Sequence, residues 1–327
     1  MKDSFRTVVT PVSFPEKLSY QTPAFFLGSC FTMSIGGKMK RLKFPVMVNP
    51  SGVLYNPLSI EKTLVRLMEG TPYGKEELLH ENGRWFSLKH DTFFSEKDPG
   101  MCLEKMNRAF EKATGFIKKS HFLFLTFGTA WVYTWKESGE VVANCHKLPA
   151  ARFERKMLEV NDIVEPYKVL IKRLFAYKDD LKIVFTVSPV RHWKDGPAGN
   201  QYSKSVLHVA IHKLLAEDER LYYFPSYEIV MDDLRDYRFY ARDMLHLSDV
   251  AVDYIWDKFR DAIVDSETFP VMEEVARIVR ATEHHPFRPD SEEYRKFCES
   301  QLEKIRDLEN RYPFLDMSEE RAYLKNI

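Results

Sequence analysis

The sequence predicts an α/β fold: a parallel sheet covered by helices on both faces, followed by a helical C-terminal extension. Three observations predict it. Short, continuous apolar runs end on small or polar residues, helix-period patterns lie between them, and the chain loses strand-like character after Val264.

The runs come in order. Ala24 to Leu27 (AFFL) leads into Gly28-Ser29, and Phe122 to Phe127 (FLFLTF) leads into Gly128-Thr129. Ile183 to Val187 (IVFTV) ends at Ser188-Pro189, and Leu221 to Phe224 (LYYF) ends at Pro225-Ser226. Unbroken apolar runs of this length suit strands buried on both faces. Between them, Phe31 to Leu42, Met101 to Lys119, Asp162 to Tyr177 and Lys204 to Leu215 read as helices. In the second, Leu103, Met106, Phe110, Ala113 and Ile117 share one face. Trp131 to Trp135, the Lys136-to-Gly139 turn and Glu140 to Cys145 read as a hairpin. After Val264 the chain is charged and helical, as in Glu293 to Arg311 and Glu319 to Lys325. The expected division is a catalytic domain over 1–266 and a helical appendage over 267–327.

Composition narrows the function classes. The 327 residues balance 48 Lys+Arg against 48 Asp+Glu, which argues against nucleic acid as the main partner. Four scattered cysteines (Cys30, Cys102, Cys145, Cys298) form no C-x-x-C pair, so neither a zinc site nor a disulfide framework follows. No apolar run is long enough for a bilayer and no secretory pattern opens the chain, so a cytoplasmic protein is expected. Without a Walker loop or Gly-rich dinucleotide fingerprint, no cofactor is expected.

In parallel sheets, ligands sit beyond the carboxyl ends of the strands. Ser29 stands there, where the first strand meets a helix, with Gly28 permitting the tight turn. A serine so placed projects above the sheet while helix-start N–H groups stabilise negative charge, although a plain N-cap serine reads the same way. Asp243-Met-Leu-His246 is the second piece. Three-residue spacing lets the carboxylate hold one imidazole nitrogen and leave the other as a base, just before a helix start at Ser248-Asp249.

Leu27-Gly28-Ser29-Cys30-Phe31 resembles the namesake motif of the GSCFA family, which is similar to the SGNH (GDSL-like) hydrolases. Further motifs follow in order: Asn49 to Pro57 (NPSGVLYNP), Phe127 to Trp131 (FGTAW), Asn144-Cys-His146, Thr186 to Val190 (TVSPV), and Asp236 to His246. The resemblance covers about residues 20 to 265. It implies a flavodoxin-like three-layer α/β/α sandwich with a Ser29–His246–Asp243 triad and no metal. It also implies oxyanion donors: the Ser29 N–H, Gly52 and an Asn. SGNH enzymes carry a Gly-x-Asn-Asp type block after the third strand, where this chain has Gly128-Thr-Ala-Trp131. Asn144 on the hairpin is one substitute, and the N–H of Gly128 or Thr129 is another.

The expected activity is hydrolysis of an O-acyl ester, on a small molecule or a carbohydrate. An O-acyltransferase on the same scaffold and a non-catalytic carbohydrate-binding protein are the alternatives. Other residues carry blander expectations. Cys30 packs beside the nucleophile, and His146 with Cys145 lines the pocket or the core. Arg191, His192 and Trp193 form a loop that contacts substrate or solvent. Trp131 and Trp135 are compatible with a substrate cleft. Arg238 and Tyr240 brace the Asp-His pair, Ser203-Lys204 caps a helix, and His284-His285 is a surface turn.

Overall fold

The computed structural model describes residues 6–283 and 287–325. In chain order the elements are β1 (Ala24–Gly28), α1 (Cys30–Arg41), β2 (Val46–Val48), α2 (Pro57–Glu69), β3 (Leu79–Glu81), β4 (Arg84–Phe86), α3 (Pro99–Ile117), β5 (Phe122–Phe127), β6 (Trp131–Trp135) and β7 (Val141–Val142). There follow β8 (Phe153–Met157), α4 (Val160–Tyr177), β9 (Lys182–Val187), α5 (Gly196–Leu215), β10 (Leu221–Tyr223), the single turn α6 (Ser226–Glu228), α7 (Asp249–Ile263), α8 (Phe269–Thr282), α9 (Glu292–Arg311) and α10 (Ser318–Lys325).

Five strands build the central sheet, in the order β10-β9-β5-β1-β2, and every pairing is parallel. Renumbered within the sheet, this is the flavodoxin-like 2-1-3-4-5 order. Its direction of winding reverses between β1 and β5, where ligands bind in such folds. The sheet is buried on both faces. Phe25 and Leu27 of β1 pack with α2, α3, α4 and α5 on one side, while Ala24 and Phe26 pack with α1, α7 and the C-terminal helices on the other. Burying a Phe or Leu this fully contributes about 1.5–3 kcal/mol. The fold is therefore the predicted three-layer α/β/α sandwich.

Helix boundaries follow capping chemistry. Asn56 accepts the Ser59 N–H at 2.8 Å ahead of Pro57, and α2 stops at Gly70 with φ 70°. Ser248 accepts the Ala251 N–H and opens α7, where the sequence predicts a start. α5 begins at Gly196 rather than at Lys204. Its Gly-Pro-Ala-Gly opening looks like a loop, yet proline is tolerated in a first turn. Ser203 and Lys204 consequently lie two turns inside the helix and cap nothing.

Two small sheets sit outside the sandwich. The predicted hairpin is β6–β7, and β8 pairs with the other edge of β6 to make three antiparallel strands. β3 and β4 form a separate two-stranded ladder. Neither β8 nor β3–β4 is predicted by the sequence, because FERKM, LHE and RWF are short and carry charge. After Val264, α8, α9 and α10 bury Val275, Ile305 and Leu324 in the same apolar cluster as Phe26 and Phe31. No helix among the described residues is long and apolar enough to cross a membrane.

Candidate active site

The Ser29 turn is fixed by backbone geometry. Gly28 has φ 146°, and a Cβ there would lie 2.2 Å from Thr126 O on β5. Only glycine allows β1 to end this close to its neighbour. The Ser29 N–H donates to Thr126 O at 3.1 Å, and Leu54 N–H donates to Gly28 O at 2.9 Å. Ser29 is the N-cap residue of α1, but its side chain caps nothing. An N-cap serine that makes its bond contributes about 0.5–2 kcal/mol, a gain this one forgoes. Its hydroxyl is buried, the residue 1% exposed, and it makes no hydrogen bond.

The Asp243–His246 pair is built quite differently. Asp243 Oδ2 meets His246 Nδ1 at 2.6 Å, while Oδ1 accepts the N–H groups of Leu245 and His246 at 2.9 Å each. The imidazole bond, then the two amides, hold the Asp243 carboxyl down to about 2. With the carboxylate ionised, Nδ1 carries the proton and Nε2 is left as a base. The loop closes on itself: Ala241 N–H donates to His246 O at 2.8 Å, Tyr240 bridges Leu247, and Met244 takes a left-handed φ of 60°. Both side chains are about half exposed, 49% for Asp243 and 55% for His246. Asp243 and Lys204 both act electrostatically on the Cys30 thiol, next to Ser29. The structure thus joins Asp243 to His246 but makes no hydrogen bond between His246 and Ser29.

The backbone amides expected as oxyanion donors make hydrogen bonds within the fold. Gly52 N–H donates to Asn49 O at 2.9 Å, Gly128 N–H to Tyr55 O at 2.8 Å, and Thr129 N–H to Tyr55 O at 3.0 Å. Gly52, with φ 82°, leaves room for the Asp91 carboxylate, which a Cβ there would meet at 2.2 Å. On the hairpin, Asn144 Oδ1 accepts the His146 N–H at 2.8 Å, a bond that engages its acceptor and not its amide donor. A buried unpaired donor beside the turn is one that sequence reasoning missed. Asn49, at the end of β2, accepts the Gly28 N–H on Oδ1 at 2.8 Å, while its Nδ2 is buried without a partner. An unpaired buried amide costs about 1–3 kcal/mol, and here it stands one residue from the unpaired Ser29 hydroxyl. The one signal available was an asparagine directly after an apolar triplet, inside the NPSG stretch.

Lys204 was also underread. It is 1% exposed, and its Nζ donates to Gly128 O at 2.7 Å and Ser188 O at 2.6 Å, tying together the ends of β5 and β9. Burial pushes its ammonium down to about 7. Among the described residues no carboxylate pairs with it. Ser203 Oγ accepts the Ala130 N–H at 2.8 Å and meets Thr129 Oγ1 at 3.1 Å. The two side chains brace the loop after β5. The readable signal was a lysine on the same helix face as Leu207 and Ile211.

The remaining residues fall into place around this centre. Burial pushes the Cys30 thiol up, keeping it protonated. His146 Nε2 lies 2.9 Å from Ser87 O and 3.0 Å from His90 O, so it ties the hairpin to the neighbouring loop. Trp135 is buried among Phe86, Val142 and Phe153, and Trp131 lies under the Arg155 guanidinium. Of the aromatics expected in a cleft, Trp193 is the exposed one at 49%. With Arg191, Tyr237, Tyr240, Asp243 and Leu245 it lines a groove of about 570 Å³. His284-His285 lies outside the described residues.

The chain is thus a parallel α/β sandwich with a serine at its switch point and an Asp-His pair in a loop before α7. The chain belongs to the GSCFA family, which it matches over residues 23–259; residues 275–327 match the C-terminal domain of GSCFA domain proteins. No curated protein matches it. Among solved structures, a Streptococcus pneumonia protein named for platelet activating factor aligns with 74% of this chain and 83% of its own, at 12% identity and a TM-score of 0.37. A family 3 carbohydrate esterase from Clostridium thermocellum aligns with 78% of this chain and 98% of its own, at 11% identity and a TM-score of 0.34. An acetyl xylan esterase from the rumen bacterium Butyrivibrio proteoclasticus aligns with 64% and 56%, at 12% identity and a TM-score of 0.32.

Proposed function

We propose that this protein is a serine esterase that hydrolyses O-acyl esters, with Ser29 as nucleophile, His246 as general base and Asp243 as the group that orients it. The observation that carries this reading is the Ser29 hydroxyl: buried at a strand-to-helix turn, capping nothing, bonded to nothing. A serine kept for structure would use its oxygen on the helix start.

In the reaction, the 241–246 loop brings His246 Nε2 onto Ser29 Oγ as the ester is bound. Oγ bonds to the acyl carbon while Nε2 takes the hydroxyl proton. The carbonyl oxygen becomes an oxyanion that accepts from Asn49 Nδ2, an already oriented donor. Collapse breaks the ester C–O bond, and the proton on Nε2 leaves with the alcohol. Water then repeats the sequence on the acyl-enzyme and releases the acid. Asp243 keeps the imidazole tautomer correct throughout.

The test is labelling by a fluorophosphonate probe, with hydrolysis of a short-chain aryl acetate in parallel. Labelling is expected in the wild type and absent in Ser29→Ala. Label that survives Ser29→Ala would overturn the assignment, and a wild type silent in both assays would favour a binding protein.

A further inference from the structure

The groove beside the Asp243 loop contains one cation whose situation differs from the rest. Its wall carries Arg191, Arg235, Asp236 and Asp243. Three of these are satisfied. Asp243 holds His246, Asp236 meets Arg238 Nε at 3.5 Å, and Arg235 meets Asp232 at 3.4 Å. Arg191 has no carboxylate partner among the described residues. The recorded bond of its guanidinium is a weak one, to Met231 Sδ at 3.4 Å. It is half-buried just past β9, so its planar fork is not simply dissolved in solvent. A guanidinium in that state is suited to a bidentate oxyanion.

The same groove presents aromatic faces that the protein leaves uncovered. Trp193 is 49% exposed and Tyr237 is 79% exposed, with the Tyr240 ring 6.4 Å from that of Tyr237. Exposed aromatic faces beside a polar wall fit a ring with one apolar face and hydroxyls around its edge, as sugars have. The groove is also continuous with the loop that carries His246, since Met244 and Leu245 line it.

Building on the esterase reading, we propose that this groove takes the alcohol portion of the substrate as an anionic sugar ring, with Arg191 binding its carboxylate. Neutral O-acyl sugars would stack on the same aromatics but leave the guanidinium unmatched. Arg191 is thus a specificity-determining residue, distinct from the groups that make and break the ester bond.

Two measurements test this. The first compares kcat/KM, read as acetate release, for an O-acetylated methyl glucuronide with that for the same compound capped as its methyl ester, which removes the charge and adds one methyl. The wild type should prefer the free carboxylate by about 10- to 100-fold. In Arg191→Gln that ratio should fall towards one, and Arg191→Lys, which keeps charge but loses the fork, should recover part of it. The second measures calorimetric binding of unacetylated methyl glucuronide and its methyl ester to Ser29→Ala, with and without Arg191→Gln. It needs no turnover, so it reads the Arg191 claim even if the esterase reading fails. A wild type with no preference for the carboxylate, or a preference that survives Arg191→Gln in both measurements, would overturn the proposal. A parallel arm with O-acetylated glucose 6-phosphate distinguishes the oxyanion: stronger Arg191-dependent preference for phosphate would overturn the carboxylate assignment.

Discussion

The two halves of the candidate site obey opposite rules. The Ser29 turn is sealed between β1, β2 and β5, and its backbone N–H and neighbouring carbonyl are engaged. What remains unpaired there is a hydroxyl and an amide, both buried. The 240–247 loop is half exposed and satisfies itself, with every named bond made inside eight residues. The lesson is a division of labour. In the proposed mechanism the sheet would supply a nucleophile and a donor that need no reorganisation, and the loop a base that arrives already oriented.

The sharpest way to break this comparison is to remove one member of each half. Ser29→Ala and His246→Ala should each lower turnover of an aryl acetate by about 10⁴- to 10⁶-fold, measured as kcat with active protein quantified independently. If the His246 variant loses less than tenfold, the loop is not the base. Next in size is Asn49→Ala. It should lower kcat by about 10²- to 10³-fold with KM changed little, because the amide acts on charge that develops in the transition state. An unchanged kcat would return the oxyanion role to a backbone amide.

Lys204 sharpens the contrast by titration. Its folded-state pKa of about 7 lies below the ordinary 10.5. Between those values the unfolded chain binds the extra proton, so wild-type stability should rise with pH, with a slope of at most about 1.4 kcal/mol per pH unit. Denaturant unfolding at several pH values should show Lys204→Met flattening that rise. An equal slope in both proteins would mean that the ammonium stays protonated in the folded state. The smallest effect belongs to the loop. Met244 sits at φ 60° and is exposed, so Met244→Gly should relieve strain and raise stability by about 0.5–1 kcal/mol in the same assay. A loss instead would show that the Met244 side chain has a packing role.

Much of this was legible in the sequence, and the boundary has a physical cause. Local signals were readable: both-face apolar strands, the Gly28-Ser29 turn, the Asp243-to-His246 spacing and the Ser248 cap. Tertiary coincidences were not. Asn49 matters because β2 lies beside β1, which brings its amide to Gly28 from 21 residues away. The amides of Gly52 and Gly128 donate to Asn49 O and Tyr55 O, and no spacing rule reports that an N–H is engaged. Lys204 was masked by the preceding Gly-Pro-Ala-Gly, which hid two turns of α5 and made an interior lysine look terminal.

The C-terminal helices have a consequence for how the gene can be cut. The far end of α1, the helix that starts at Ser29, leans on them: Lys43 pairs with Glu320 at 2.8 Å, Arg41 with Glu283, and Tyr20 stacks against Phe314 while its hydroxyl holds Leu42 O. A stop codon after 266 would remove Val275, Ile305 and Leu324 from the apolar cluster they share with α1 and α7 and expose part of it to water, an invitation to aggregation. The segment reads as an addition along the chain, yet its apolar side chains belong to the same core as α1 and α7.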